Sequence, residues 1–212
     1  RRHGARPARV TRHPASDDPA RHRAVVPPVP EGTPRPRWSV MIPTYDCAGD
    51  LRVALRSVLS QDPGPDRMQI EVVDDCSTRD DPEAVVREVG GGRVGFFRQP
   101  ANVGHTGNFN TCLQRARGEI VHVLHGDDFV LDGFYRTMER AFEAAPEIGA
   151  AFCRYIAVDD AGRWRTLAPL LQEHSGVVAD WLPTIASGQR LQPPTIVVRR
   201  EVYERLGGFD DR

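Results

Sequence analysis

Lysine is absent: all 28 basic side chains other than histidine are arginine. With a net charge of −1, this is read as GC-rich codon usage and not as a nucleic-acid-binding signature. Cysteine is scarce. The four, at 47, 76, 112 and 153, include no C-x-x-C pair, so they suggest neither a zinc site nor a disulfide framework and fit a reduced, cytoplasmic setting. No apolar run reaches the roughly 18 residues that a membrane-spanning helix needs. The first residues also lack the apolar centre of a signal peptide. The expectation is a soluble protein, with peripheral association at the inner face of the membrane left open.

An apolar content of 40% over 212 residues is enough for one domain with a sizeable core and little left for a second. Residues 1–36 hold eight arginines against Asp17, Asp18 and Glu31, a local charge of about +5, which leaves about −6 on the rest. This Arg/Pro-rich stretch, with Pro27-Pro-Val-Pro30, reads as a disordered or loosely docked tail or linker, with binding to anionic lipid or nucleic acid the lesser reading. The globular domain is expected over 37–212.

Trp38–Ile42 is a compact apolar run ended by Pro43, as in a strand covered on both faces. Leu51, Ala54, Leu55, Val58 and Leu59 then recur with helical spacing, Asp50 offering an N-cap. Strands follow at 69–73, 94–98 and 119–124, with helices at 82–89, 107–117 and 132–144, then an apolar strand at 149–158. Residues 161–190 show no clear period and suggest a loop-rich cover, while 196–198 and 201–206 read as a short strand and helix. This alternation predicts an α/β, mainly parallel sheet flanked by helices, in which ligands bind beyond the carboxyl ends of the strands.

Three acidic turns fall at such ends: Tyr45-Asp46, Asp74-Asp75 and Asp127-Asp128. A buried charge costs several kcal/mol unless paired or metal-bound. Carboxylates are also the ligands that Mg²⁺ or Mn²⁺ takes alongside substrate phosphates. Asp127-Asp128 therefore points to a metal ion handling a phosphorylated substrate. His125 reads as a neutral, hydrogen-bonded histidine ahead of a ligand. Asp74 and Ser77 suggest strand-end or capping roles, Asn102–His105 a structural turn, and Trp181 an aromatic lid residue.

Ser39–Tyr45, Ser57–Gln61, Val72–Ser77, Asn102-Val-Gly104, Ala116–Glu119, Leu124–Asp128 and Leu206–Asp210 occur in order. This set resembles the family 2 glycosyltransferases with a Rossmann-like GT-A fold over about residues 38–212. The resemblance implies an inverting, metal-dependent transfer of sugar from a nucleoside diphosphate, UDP- or dTDP-linked, to a hydroxyl acceptor: a glycan, a lipid-linked molecule or a small molecule. It implies that Pro43, Tyr45, Asp75 and Asp127 hold the nucleotide and that Asp128 and Asp127 hold Mn²⁺ or Mg²⁺. The general base is implied in an acidic motif past Gly207-Gly-Phe-Asp210, beyond Arg212, so the domain is expected to be truncated there; Asp210 and Asp211 are the nearest acids. The cation that some relatives carry near the diphosphate has no counterpart between Arg98 and Arg115. Two other readings remain: a non-catalytic nucleotide-sugar-binding domain, and a sugar-phosphate nucleotidyltransferase. The latter would need a Gly-rich basic loop that Pro43–Cys47 does not offer.

Overall fold

A computed structural model describes residues 22–210. Its centre is a six-stranded sheet in the order β3-β2-β1-β4-β8-β5. In chain order these strands are β1 (Trp38–Thr44), β2 (Met68–Asp74), β3 (Gly95–Arg98), β4 (Ile120–Val123), β5 (Ala150–Phe152) and β8 (Ile196–Arg199). The first four are mutually parallel, and β8 runs antiparallel between β4 and β5. Helices α1 (Ala48–Leu59), α2 (Pro82–Gly90), α3 (Gly104–Arg115), α4 (Phe134–Ala144) and α6 (Arg200–Leu206) accompany the sheet.

Every residue of β1 and β2 is buried, so the strands alternate between two cores. Val40, Ile42 and Val72 pack with Leu51, Leu55, Met138 and Phe142 on one side. Met41 and Val73 pack with Cys112, Leu113, Val121 and Val26 on the other. Each fully buried aliphatic side chain contributes about 1.5–3 kcal/mol, which fixes the sheet as the rigid frame of the site. The expected stripe on α1 is in this core. At Gly118, a Cβ would meet the backbone of Trp38 and Ser39 at 2.5 Å, so only glycine lets the chain enter β4 so close to β1.

Several elements differ from their expected bounds. Pro43 does not end β1, which continues to Thr44. Pro43 lies past the last residue of β1 that pairs with β4, so its missing N–H removes no ladder bond. Asp50 is in the first turn of α1 and not its N-cap; Cys47 holds that place, and Asp80 Oδ2 accepts from Ala48 N–H at 2.7 Å. The apolar stretch at 149–158 splits into β5 and β6 (Ile156–Val158). Residues 161–190 are more ordered than expected: β7 (Trp164–Leu167) pairs with β6, and α5 spans Trp181–Ala186. Of the basic tail, residues 1–21 lie outside the described residues. From His22 onward the chain lies against the domain: Val26 is buried, the Arg23 backbone pairs antiparallel with that of Asp210, and Arg200 donates to Pro27 O at 2.7 Å.

Candidate active site

The parallel strands bring all three acidic turns to one edge, since Thr44 is in register with Asp74 and Met41 with Val123. Each turn is held differently. Asp46 adopts a left-handed φ of 50°. Its carboxylate accepts from Thr78 N–H at 2.8 Å and from Arg79 N–H and Nε at 2.9 Å. Those bonds, the Arg79 backbone amide foremost, hold its pKa below the usual carboxylate range. Asp74 is enclosed, bound by Ser77 and by Arg98 Nε at 2.6 Å, which spends its charge on the turn itself. The Ser77 hydroxyl in turn accepts from Asp46 N–H at 2.9 Å, joining the first two turns.

Asp75 sits beneath the start of α3 with only 3% of its surface exposed. Its Oδ1 accepts from Val103 N–H at 2.8 Å, and the Gly104 amide also points to it. Burial nevertheless raises its pKa. Tyr45 is 47% exposed above this edge. Pro43 is buried, its carbonyl accepting from Gly126 N–H at 2.9 Å.

The third turn depends on close approach. A Cβ on Gly126 would lie 2.9 Å from Thr44 Oγ1 and 3.0 Å from Cys47 Sγ. Glycine thus lets the β4 end lie against the β1 end, and Asp127 and Asp128 follow directly. Burial, then the neighbouring Asp127, pushes Asp128 up to about 6. Carboxylates crowded in this way are the arrangement that a cation relieves. One ligand atom each from His125, Asp127 and Asp128 lie within 4.8 Å of one another, the one group of three metal-binding side chains among the described residues. The donor set fits a divalent ion. The His125 ring stacks on Phe109 at 4.9 Å, and burial lowers its pKa. It is not hydrogen-bonded as expected: Nε2 is buried without a partner.

Other side chains around the edge make contacts within the fold. Asn108 donates to Val73 O, and the side-chain amide of Asn110 brackets Phe209, donating to its O and accepting from its N–H. Asn102 and His105 flank the α3 start, and Asn102 donates to Asp75 O. Trp181 packs against Phe152. Asp210 follows Phe209, whose ring meets Phe109, while Asp211 lies outside the described residues. Sequence reasoning missed Arg79, a largely exposed cation anchored by Asp46 at this edge. The signal was its place directly after Asp75–Thr78 on the same turn.

A mainly parallel sheet with this switch in strand direction beside β4 is an α/β fold similar to that of the GT-A glycosyltransferases. The family model for glycosyl transferase family 2 matches residues 39–207, and the chain belongs to that family. An uncharacterized protein of Mycobacterium tuberculosis is 32% identical over 186 residues, covering 82% of this chain and 57% of that protein. The chain thus spans little more than half the length of that curated relative. Among solved structures, the mannosyltransferase of Pyrobaculum calidifontis in complex with GDP-Man and Mn²⁺ aligns with a TM-score of 0.59 at 24% identity, over 88% of this chain and 50% of that one. TarS of S. aureus in complex with UDP-GlcNAc aligns with a TM-score of 0.63 at 20% identity, over 80% and 47%. No helix among the described residues is long and apolar enough to cross a membrane.

Proposed function

We propose that this domain transfers a sugar from a nucleoside-diphosphate donor to a hydroxyl acceptor, in the biosynthesis of a polysaccharide or glycoconjugate. The observation that carries this reading is the convergence of Tyr45, Asp75 and Asp127-Asp128 on one sheet edge within a family 2 frame. Tyr45 offers an exposed ring to the base, and Asp75 a buried acceptor for base N–H groups. Pro43 serves through its backbone, setting the distance between the β1 and β4 ends. Asp127 and Asp128 would hold a divalent ion, Mn²⁺ or Mg²⁺, which supplies Lewis-acid stabilisation of charge on the departing diphosphate.

The chain's own groups orient the donor. The sheet edge presents the carboxylates from a rigid frame, and the Asp46–Arg79 pair places a guanidinium beside them. Residues 153–195 leave and re-enter the sheet at this same edge, Phe152 pairing with Ile196, and they form the acceptor side. An inverting displacement needs a group to take the acceptor's proton. We assign that base to a carboxylate past the Gly207–Asp210 segment; Asp210 and Asp211 are the nearest acids within this chain. The GDP-Man and UDP-GlcNAc complexes of the two structural neighbours support a nucleotide-sugar donor without selecting the base. Uridine or thymidine is the proposed nucleoside.

Titration calorimetry of UDP with and without Mn²⁺ tests the site. Binding should strengthen with Mn²⁺ and lose that gain in Asp128→Ala. Failure to bind any nucleoside diphosphate sinks the reading.

A further inference from the structure

His125 occupies the first position of the turn that carries the two carboxylates, and its ring makes no ordinary polar contact. Nε2 is buried with no hydrogen-bond partner among the described residues. Nδ1 faces Asp128 Oδ2 at 3.5 Å, longer than the 2.7–3.2 Å of a normal N–H···O bond. The nitrogen that faces the acidic pair is Nδ1. What fixes the ring is stacking: Phe109 lies against it at 4.9 Å and 26°, and Phe209 and His105 pack on Phe109 in turn. The imidazole is therefore oriented by aromatic packing, which leaves Nδ1 without a normal hydrogen bond beside Asp128.

We propose that His125 is a nitrogen ligand of the divalent ion and tunes the site towards a transition ion such as Mn²⁺ over Mg²⁺. The proposal rests on the metal-site reading of Asp127 and Asp128. Ligands about 2.1 Å from one ion lie roughly 3 Å apart when adjacent. The 3.5 Å between Nδ1 and Asp128 Oδ2 is too long for a good hydrogen bond and needs only a small side-chain adjustment to become a shared coordination edge. A ligand atom from Asp127 falls in the same 4.8 Å cluster. Mg²⁺ favours carboxylate, carbonyl and water oxygens, whereas imidazole suits transition ions. A single nitrogen in an otherwise oxygen shell thus moves selectivity away from Mg²⁺.

The test uses Mn²⁺ with UDP on protein labelled with ¹⁵N-histidine, read by pulsed EPR. A ¹⁵N coupling from a directly bound nitrogen is expected. It should vanish in His125→Gln with an unchanged melting transition and persist in His105→Gln, which alters the neighbouring stack only. Calorimetry should show Mn²⁺ binding weakened about tenfold or more in His125→Gln. His125→Asp should recover affinity for Mg²⁺ relative to Mn²⁺. If His125→Gln misfolds, the wild-type coupling and its persistence in His105→Gln decide. Mn²⁺ binding that requires Asp128 but shows no ¹⁵N coupling overturns the His125 assignment and leaves the metal site standing. Mn²⁺ that does not bind, or binds equally in Asp128→Ala, overturns both.

Discussion

The carboxyl edge of the parallel strands and the excursion at 153–195 meet at Phe152 and Ile196, yet they are built on opposite plans. At the edge, Asp46, Asp74 and Asp75 are each tied to other segments by short bonds, and Gly126 seats one strand end against another. In the excursion most bonds are local, as between Asp159 and Arg163. Trp164 stays 69% exposed and Leu182 74%. Bonds among distant segments make geometry that ligands do not have to organise, whereas local bonds with exposed apolar surface leave a face that can fit different acceptors. Under the proposed function, the contrast is that of a fixed donor side and an adaptable acceptor side.

That contrast can be broken by substitution. Asp74→Ala, which leaves Ser77 and Arg98 without their acceptor, should destabilise the fold by about 3 kcal/mol, measured by urea unfolding. Asp128→Ala should lower sugar transfer by at least about 100-fold, near 2.7 kcal/mol, with the midpoint of unfolding almost unchanged. Gly126→Ala should cost about 1–3 kcal/mol by overpacking against Thr44 and Cys47 and should weaken UDP binding as well. If it weakened neither, the seating of β4 on β1 would not matter to the site.

A fourth prediction concerns pH. His122 is buried in β4, its ring nitrogens facing Tyr135 OH at 3.2 Å and Pro194 O at 2.8 Å, and burial lowers its pKa from 6.5 to about 4. Between those values the unfolded chain takes up a proton that the native state refuses. Native stability therefore falls as pH drops from 6.5 towards about 4. His122→Gln should be less stable at neutral pH but show a flatter decline over that window in thermal melts. The smallest effect belongs to the excursion: Leu182→Ser should change stability by less than about 0.5 kcal/mol. A loss as large as that of Asp74→Ala would end the distinction between the two regions.

The sheet was legible because Val40-Met-Ile42 and Ile70, Val72 and Val73 form short apolar stretches, and because acids at strand ends stand out against them. Pro43 misled, since only the register with β4 shows that its absent N–H faces no partner. Asp80 as the acceptor for the α1 start could not be read, because it reaches Ala48 across 32 positions of sequence. The 149–158 run looked like one strand because Arg154 is the one charged residue in it, and only three residues separate β5 from β6. The His125–Phe109 stack was hidden for a similar reason: α3 and the β4 end meet only once the crossover is made.

Asp75 has one consequence that a free surface carboxylate would not have. Folding has already stripped it of water and given it the Val103 amide, so an arriving base does not have to dehydrate it. The incoming N–H must instead share, or take over, an acceptor that also anchors the first turn of α3. A ligand without such a donor gains nothing from displacing the amide, so if Asp75 meets the base as proposed, this position discriminates against the wrong nucleoside more than it attracts the right one. Nucleotide occupancy should then register in the hydrogen exchange of the Val103 and Gly104 amides, the first backbone groups to feel the competition.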